Sequence, residues 1–215
     1  MPIWNYRCIY HMTEASNWPS IQRSGLLSTS RLLDLAGLSG AERYAIERHQ
    51  RLRSQLLPNG ATIRDQRPIP PAALARCLTG DMKPEDWYAE LNRRVFFWLD
   101  PKRLNRQRRA SRRSPQIVLV IDADCLLSRY ASAATLTAFN TGNARRKPAR
   151  RGRQTFVPYA RWRESGWVSE AAALETSCRP LSHAPVELAI PGAIEDILET
   201  VVLVRRLEVD EYLSL

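Results

Sequence analysis

A chain of 215 residues, 44% apolar and 25% charged, is long enough to bury a substantial core and too mixed in character for a fibrous or disordered protein. Its 32 lysines and arginines against 22 acids leave a net charge of +10, nearly all from arginine, which favours anionic partners with nucleic acid first. The longest apolar runs, 95–99 and 117–121, fall far short of the roughly 20 residues needed to span a bilayer, so no membrane partner is expected.

In chain order, Tyr6, Cys8 and Tyr10 alternate as in a first strand, and residues 13–17 offer short polar side chains to cap a short helix ended by Gly25. A second short helix is predicted over 31–35, before the Gly37-Leu38-Ser39-Gly40 break. Strong helix formers from 41 to 57, with Tyr44, Ile46 and Leu52 as apolar positions, predict a longer helix closed by Pro58-Asn59-Gly60. The stretch 67–71 is a rigid proline loop, followed by helices predicted over 71–78 and from Pro84, the latter with Glu85 and Asp86 in its first turn and Trp87 and Leu91 facing inward.

Residues 94–99 read as a continuous apolar strand and 116–121 as a buried β-branched strand ending at Asp122. Between them, 102–113 hold seven positive charges. After one or two helical turns over 122–129, a second basic tract at 145–153 has the Gly and Pro content of a surface loop and is expected to stay out of the core. Residues 155–159 and a polar loop then lead to a strand over 186–190, a Pro191-Gly192 turn and a last strand over 198–204. Helices early and strands mostly late predict an α+β domain.

Cys8, Cys77, Cys125 and Cys178 form none of the close pairs of a zinc or redox motif and are read as buried free thiols. His49 and His183 lack partners at metal-ligand spacing, so no metal is expected. The first residues show no charged, apolar and small-residue succession of a secretory signal, which predicts a cytoplasmic protein.

Several short motifs follow one another in a definite order. Tyr10-His11-Met12-Thr13 closes the first strand, and Gly25-Leu26 comes after one short helix. The aromatic strand 95–99 is trailed by Pro101 and Arg103, the core strand 117–122 follows, and Pro185-Val186-Glu187-Leu188 opens a late strand. This order resembles the ADP-ribosyltransferases of the DarT type, which modify DNA bases using NAD, and their relatives. The resemblance implies an ADP-ribosyltransferase-like split mixed or antiparallel sheet flanked by helices. It also implies a single domain over 1–215 with a helical insertion around 37–92, and NAD as co-substrate.

The resemblance makes Glu187 the catalytic carboxylate and Arg103, or Lys102 after a one-residue shift, the family's arginine. It assigns His11, Met12, Thr13 and Gly25 to the dinucleotide, with His11 on the ribose and the backbone near Met12 on the carboxamide. Phe96, Phe97, Trp98 or Tyr44 would wall the nicotinamide, and Arg94 is a competing candidate for the pyrophosphate. The implied acceptor is a nucleic-acid base, in DNA first, and an antitoxin protein is a further partner.

The residue types suit that chemistry. Cleaving the bond between nicotinamide and ribose passes through an oxocarbenium-like state that needs positioning and charge stabilisation more than covalent help. Glu187 lies between Val186 and Leu188, so a strand turns its carboxylate away from both, towards a cleft or simply towards solvent. Phe96, Phe97 and Trp98 are consecutive, so at least one faces away from any pocket. Asn140-Thr141-Gly142-Asn143 is a turn with short polar residues able to line a site.

Arg145, Arg146, Lys147, Arg150, Arg151 and Arg153 put six positive charges into nine positions, dense enough for several phosphate contacts. With Phe156, Tyr159 and Trp162 downstream, they are interleaved with aromatics as in single-strand-binding surfaces. Two readings stand beside transfer to a nucleic-acid base: a catalytically inactive nucleic-acid-binding module on the same fold, and a transferase acting on protein or RNA.

Overall fold

The computed structural model describes residues 1–214. Its strands are β1 (Cys8–Glu14), β2 (Leu26–Leu27), β3 (Gln55–Leu56), β4 (Thr62–Ile63), β5 (Arg94–Trp98), β6 (Gln116–Asp122), β7 (Thr135–Thr137), β8 (Val157–Pro158), β9 (Glu187–Pro191), β10 (Ala193–Ile194) and β11 (Val201–Leu207). The helices are α1 (Trp18–Ser24), α2 (Thr29–Leu35), α3 (Gly40–Arg48), α4 (Pro71–Ala75), α5 (Pro84–Asn92), α6 (Pro101–Ala110), α7 (Ala123–Tyr130), α8 (Tyr159–Ser165) and α9 (Val168–Leu174).

Seven strands make one sheet in the order β11-β6-β1-β5-β9-β7-β8, every neighbouring pair antiparallel. The α+β class follows the sequence expectation. β6 is buried along both faces from Gln116 to Ile121, as its unbroken apolar run requires. The β11–β6 ladder shifts register between Val201 and Leu203, and β1 meets β5 only where Tyr10 lies opposite Trp98. The sheet therefore consists of two halves, β11-β6-β1 and β5-β9-β7-β8, joined by a single residue pair.

Core packing differs on the two faces. On one face Ile9, Leu119 and Ile121 of the first half join Phe97, Leu188 and Leu136 of the second in a single cluster, closed by Ile21, Leu126, Trp162 and Trp167. On the other face the apolar side chains fall into two clusters. Tyr10, Met12, Val118 and Val120 pack on Leu104 of α6, with Trp98 at their border. Ala189 and Phe96 pack instead under Trp87 and Leu91 of α5, Leu74 of α4, and Phe156.

Local chemistry sets the helix starts. Ser28 accepts from the Arg31 amide at 3.3 Å, Asp100 from Lys102 at 2.8 Å and Asp122 from Cys125 at 2.8 Å, satisfying first-turn donors of α2, α6 and α7. Pro84 and Pro101 occupy first helical positions, where no amide proton is needed. Arg108 on α6 is wholly buried and donates to the carbonyls of Ser111, Ser114, Glu208 and Glu211, tying the segment after β11 to the helix.

Several elements differ from the sequence reading. The helix expected over 41–57 stops at Arg48, because β3 pairs with β4 across Pro58-Asn59-Gly60 and buried Arg51 donates to the carbonyls of Ile46 and Arg64. The helix over 71–78 ends at Ala75, and the last strand runs over Val201–Leu207, preceded by a 3-10 turn at Ile197–Glu199. The polar loop after residue 159 is instead the pair α8 and α9, whose Trp162 and Trp167 fill the core. Asn17 does not cap α1; its amide side chain brackets Thr62, donating to the carbonyl at 2.8 Å and accepting from the amide at 2.7 Å. Of the four thiols only Cys77 is buried, and Cys178 is exposed.

Gly25 is fixed by close backbone approach. Its φ is +73°, and a Cβ there would lie 2.3 Å from the Ile194 carbonyl oxygen, where β2 meets β10. Gly192 has φ +80° but open space around it. Gly25→Ala is therefore expected to cost about 2 kcal/mol or more, and Gly192→Ala about 1 kcal/mol. Urea unfolding of the two variants checks this, and equal losses would remove the steric account.

Candidate active site

Glu187 opens β9 in a row of three residues, opposite Trp98 on one side and Thr137 on the other. Directly opposed residues of an antiparallel pair share a face, so its side chain projects beside the Trp98 indole, at the border between the two separate clusters. It is 4% exposed, not the open cleft residue that the sequence pattern suggested.

One carboxylate oxygen is held and the other is not. Oε2 accepts from the Thr141 amide at 3.1 Å, the Thr141 hydroxyl at 2.8 Å and the Thr137 hydroxyl at 3.0 Å. Oε1 has no hydrogen-bond partner among the described residues, yet it is not one of the fully enclosed polar atoms that lack one, so it keeps a small opening to solvent. Burial pushes the Glu187 carboxyl up to about 7, against the opposing pull of the Thr141 and Thr137 hydrogen bonds and the charge of Arg151. The Thr137 hydroxyl also lies 2.9 Å from the Phe139 carbonyl. Its single proton can serve the ionised carboxylate, or turn to Phe139 when Glu187 carries its own.

Arg151 braces the loop that supplies Thr141. Expected at the surface with the rest of its tract, it is 1% exposed. Its guanidinium donates to the carbonyls of Thr141 at 3.2 Å, Asn143 at 3.1 Å and Ala149 at 3.1 Å. It also lies over the rings of Phe139 and Trp87, at 4.9 and 5.5 Å. Those contacts replace water for a planar cation, and this is why one arginine of a basic run can be core.

His11 and Thr13 project from the opposite face of β1, towards Phe97 and the Asn17–Thr62 contact. The His11 Nδ1 donates to the Phe96 carbonyl at 2.9 Å, reaching across the gap where β1 and β5 no longer pair. A carbonyl only accepts, so Nδ1 carries the proton and Nε2 is left free. Burial, with Arg64 nearby, lowers the ring to about 4 against that hydrogen bond, and His11 is neutral at physiological pH. The Thr13 hydroxyl accepts from Asn17 at 2.8 Å. Met12 lies on the Glu187 face but packs into the Tyr10 cluster.

The remaining candidates separate. Arg103, in the first turn of α6, lies near Tyr6, whose hydroxyl is pushed up by burial and Asp100 against the Arg103 charge, and Tyr6 donates to the Pro185 carbonyl at 3.4 Å, two residues before Glu187. It thus sits at the same end of the sheet, without contact to the carboxylate. Phe97 is fully buried core, which leaves Trp98 as the aromatic beside Glu187. Arg94 is committed elsewhere, bonded to Glu90 at 2.7 Å and stacked on Phe156 at 4.0 Å, and so is not free for a pyrophosphate. Tyr44 is half exposed on α3 beside His49, and Gly25 serves the β2 and β10 junction. Nothing in the sequence around Thr137 points to the carboxylate, whereas Thr141 lies in the polar turn Asn140-Thr141-Gly142-Asn143.

Arg145, Arg146, Lys147, Arg150 and Arg153 are exposed, and only Arg150 has an ion-pair partner among the described residues, Glu175 at 3.3 Å. Beside Arg153 lies a concavity of about 390 Å³ lined by Arg161, Gln154, Ser169, Phe156 and Val157, two guanidinium groups over an apolar floor. A second, of about 260 Å³, lies by Arg23 and Arg31. Neither reaches Glu187. The first is the larger of the two, but its lining holds no acid, whereas the donors converging on Glu187 and its raised carboxyl make that residue the stronger candidate.

Among the described residues no cluster of three or more His, Cys, Asp or Glu side chains could hold a metal, and no helix is long and apolar enough to cross a membrane. The model of a family of unknown function, DUF7002, matches residues 7–201, a span that includes every residue around Glu187. No curated protein matches the chain.

Proposed function

The chain belongs to DUF7002, a family of unknown function, and we propose that it is an NAD-dependent ADP-ribosyltransferase acting on a nucleic-acid base, in DNA first. The observation that carries this reading is the Glu187 carboxylate, anchored through one oxygen and open at the other, beside Trp98 and the gap between two half-sheets. In the proposed reaction the bond between nicotinamide and ribose breaks and nicotinamide leaves with the bonding pair. A ring or exocyclic nitrogen of the acceptor base bonds to the ribose carbon. Its proton passes to Glu187 Oε1, which must be ionised to take it.

Trp98 supplies an aromatic face at that row. His11, neutral with Nε2 free, projects from the other face of β1, so it would accept from a ribose hydroxyl only where the dinucleotide passes through the gap between the half-sheets. Arg103 is the cation at the same end of the sheet. The exposed tract and the Arg153–Arg161 concavity would draw in phosphates.

The near-complete burial of Glu187 favours a second reading, a closed nucleic-acid-binding module that transfers nothing. Titration with NAD separates the two: saturable binding supports the transferase, and its absence the module. Incubation with labelled NAD and separate pools of single-stranded DNA, duplex DNA, RNA and protein should place the label on nucleic acid. Label on protein alone would retain transferase chemistry and reject the acceptor.

A further inference from the structure

The two arginine-rich runs are far apart in sequence, yet both lie on the Glu187 side of the sheet. The tract 145–153 follows Ala144, which packs in the Trp87–Phe156 cluster over β5 and β9, and Arg151 lies over the Trp87 ring. The other run forms α6, which packs on β1 and β5 with Leu104 among the Tyr10 cluster. Gln107 of α6 accepts from the Trp98 indole at 2.6 Å, so the helix borders the row that holds Glu187. It stands on the Trp98 side of that row, and the tract, tied to Thr141 through Arg151, on the other.

α6 carries five cations and no acid. Leu104 and Arg108 are its buried anchors. At about 3.6 residues per turn, Lys102, Arg106 and Arg109 share the opposite face, and all three are exposed. None has an ion-pair partner among the described residues. The acids closest in the fold are taken: Asp210 pairs with Arg112, Glu208 with Arg206 and Glu211 with Arg205. Cations three and four apart on one helix face repel each other, and Lys102 stands in the first turn, where the helix dipole disfavours positive charge. The stripe is therefore unfavourable in the free chain and is relieved by an anionic polymer.

We propose that the exposed face of α6 binds the phosphate backbone of a single nucleic-acid strand, which continues across the Glu187 row to Arg145, Arg146 and Lys147. From β1 to β7 is three strand spacings, about 15 Å, which a few nucleotides cover. The strand is unpaired where it passes Glu187, because a stacked and paired base keeps its reactive edge from a side chain held in a sheet. The inference rests on nucleic acid as the partner but not on transfer, since strand binding needs neither NAD nor an ionised Glu187.

Anisotropy of a labelled single strand of about 16 nucleotides, titrated without NAD, reads this surface directly. Lys102→Gln with Arg106→Gln and Arg109→Gln should weaken binding at least about 10-fold and flatten the slope of log K against log salt by about 2. The circular dichroism spectrum should not change. Removing three ion-paired cations instead, with Arg112→Gln, Arg205→Gln and Arg206→Gln, should change Kd less than about 3-fold. One strand should bind per chain. Equal losses in the two triple variants would reduce the effect to net charge and overturn the proposal. So would two strands per chain, with the α6 variant losing one and binding the other at the wild-type Kd, or a stripe that governs binding to anionic phospholipid vesicles and not to the strand. Absent NAD binding with the α6 effect intact rejects the transferase and leaves this surface standing. Label on nucleic acid together with strand binding indifferent to the stripe rejects the surface alone.

Discussion

Glu187→Gln is expected to lower ADP-ribosyl transfer at least about 100-fold while leaving NAD affinity within a few-fold and the fold intact. The amide keeps the shape of the carboxyl group and an oxygen for the Thr141 amide, but it cannot take a proton. The same substitution should alter stability in a pH-dependent way. The folded-state value of about 7 lies above the ordinary value of 4.5. The native state therefore binds the extra proton between them. The stability contributed by Glu187 is fully present below pH 4.5 and is lost as pH rises through 7, an effect of about 3 kcal/mol.

Urea unfolding between pH 4 and 8 should show this loss in the wild type and not in Glu187→Gln, so that above pH 7 the inactive protein is the more stable one. Wild-type transfer should rise with pH around a midpoint near 7, since the base must be ionised. Thr141→Val removes a donor that favours the ionised form and should move that midpoint to higher pH. Full activity in Glu187→Gln would end the assignment.

Arg151→Met is the second large effect expected. Removing a guanidinium that satisfies three carbonyls and packs over two aromatic rings should cost about 3 to 5 kcal/mol. For a chain of this size that is a fall in Tm of roughly 10 °C. Arg153→Met, two residues along and exposed, should change stability by less than about 0.5 kcal/mol and instead weaken nucleic-acid binding. Calorimetry and binding anisotropy on the two variants separate these roles, and equal Tm shifts would contradict the buried assignment.

What could be read from sequence follows from how each element is stabilised. β6 is visible as an apolar run because a strand buried on both faces needs no alternation, and β5 because aromatic side chains fill its half-buried face at Phe96 and Trp98. β7 and β8 are not, since Thr135-Leu136-Thr137 and Val157-Pro158 are strands only because β9 offers an edge to pair with and β7 another. The stretch 49–57 has helix formers throughout, but a hairpin and a buried arginine override them. At the site, Glu187 stands out through the order of its neighbours and Thr141 through the polarity of its turn. Arg151 cannot be told from Arg150 or Arg153 by its own chemistry. Its burial depends on Trp87 and Phe139, both of which precede it in sequence and reach it only in the folded chain.

The unequal cores on the two sides of the sheet give the molecule a direction of compliance. On the Phe97 side one continuous cluster crosses from half to half, while on the Glu187 side each half has its own cluster and only Trp98 of β5 packs across, against the Tyr10 cluster. With one residue pair and the His11 hydrogen bond stitching β1 to β5, rotation about the shared cluster separates little apolar surface on the Glu187 side. The reverse rotation would tear the main core. The fold behaves as a book bound along one face, and the page that opens most cheaply is the one on which Glu187 and Trp98 stand.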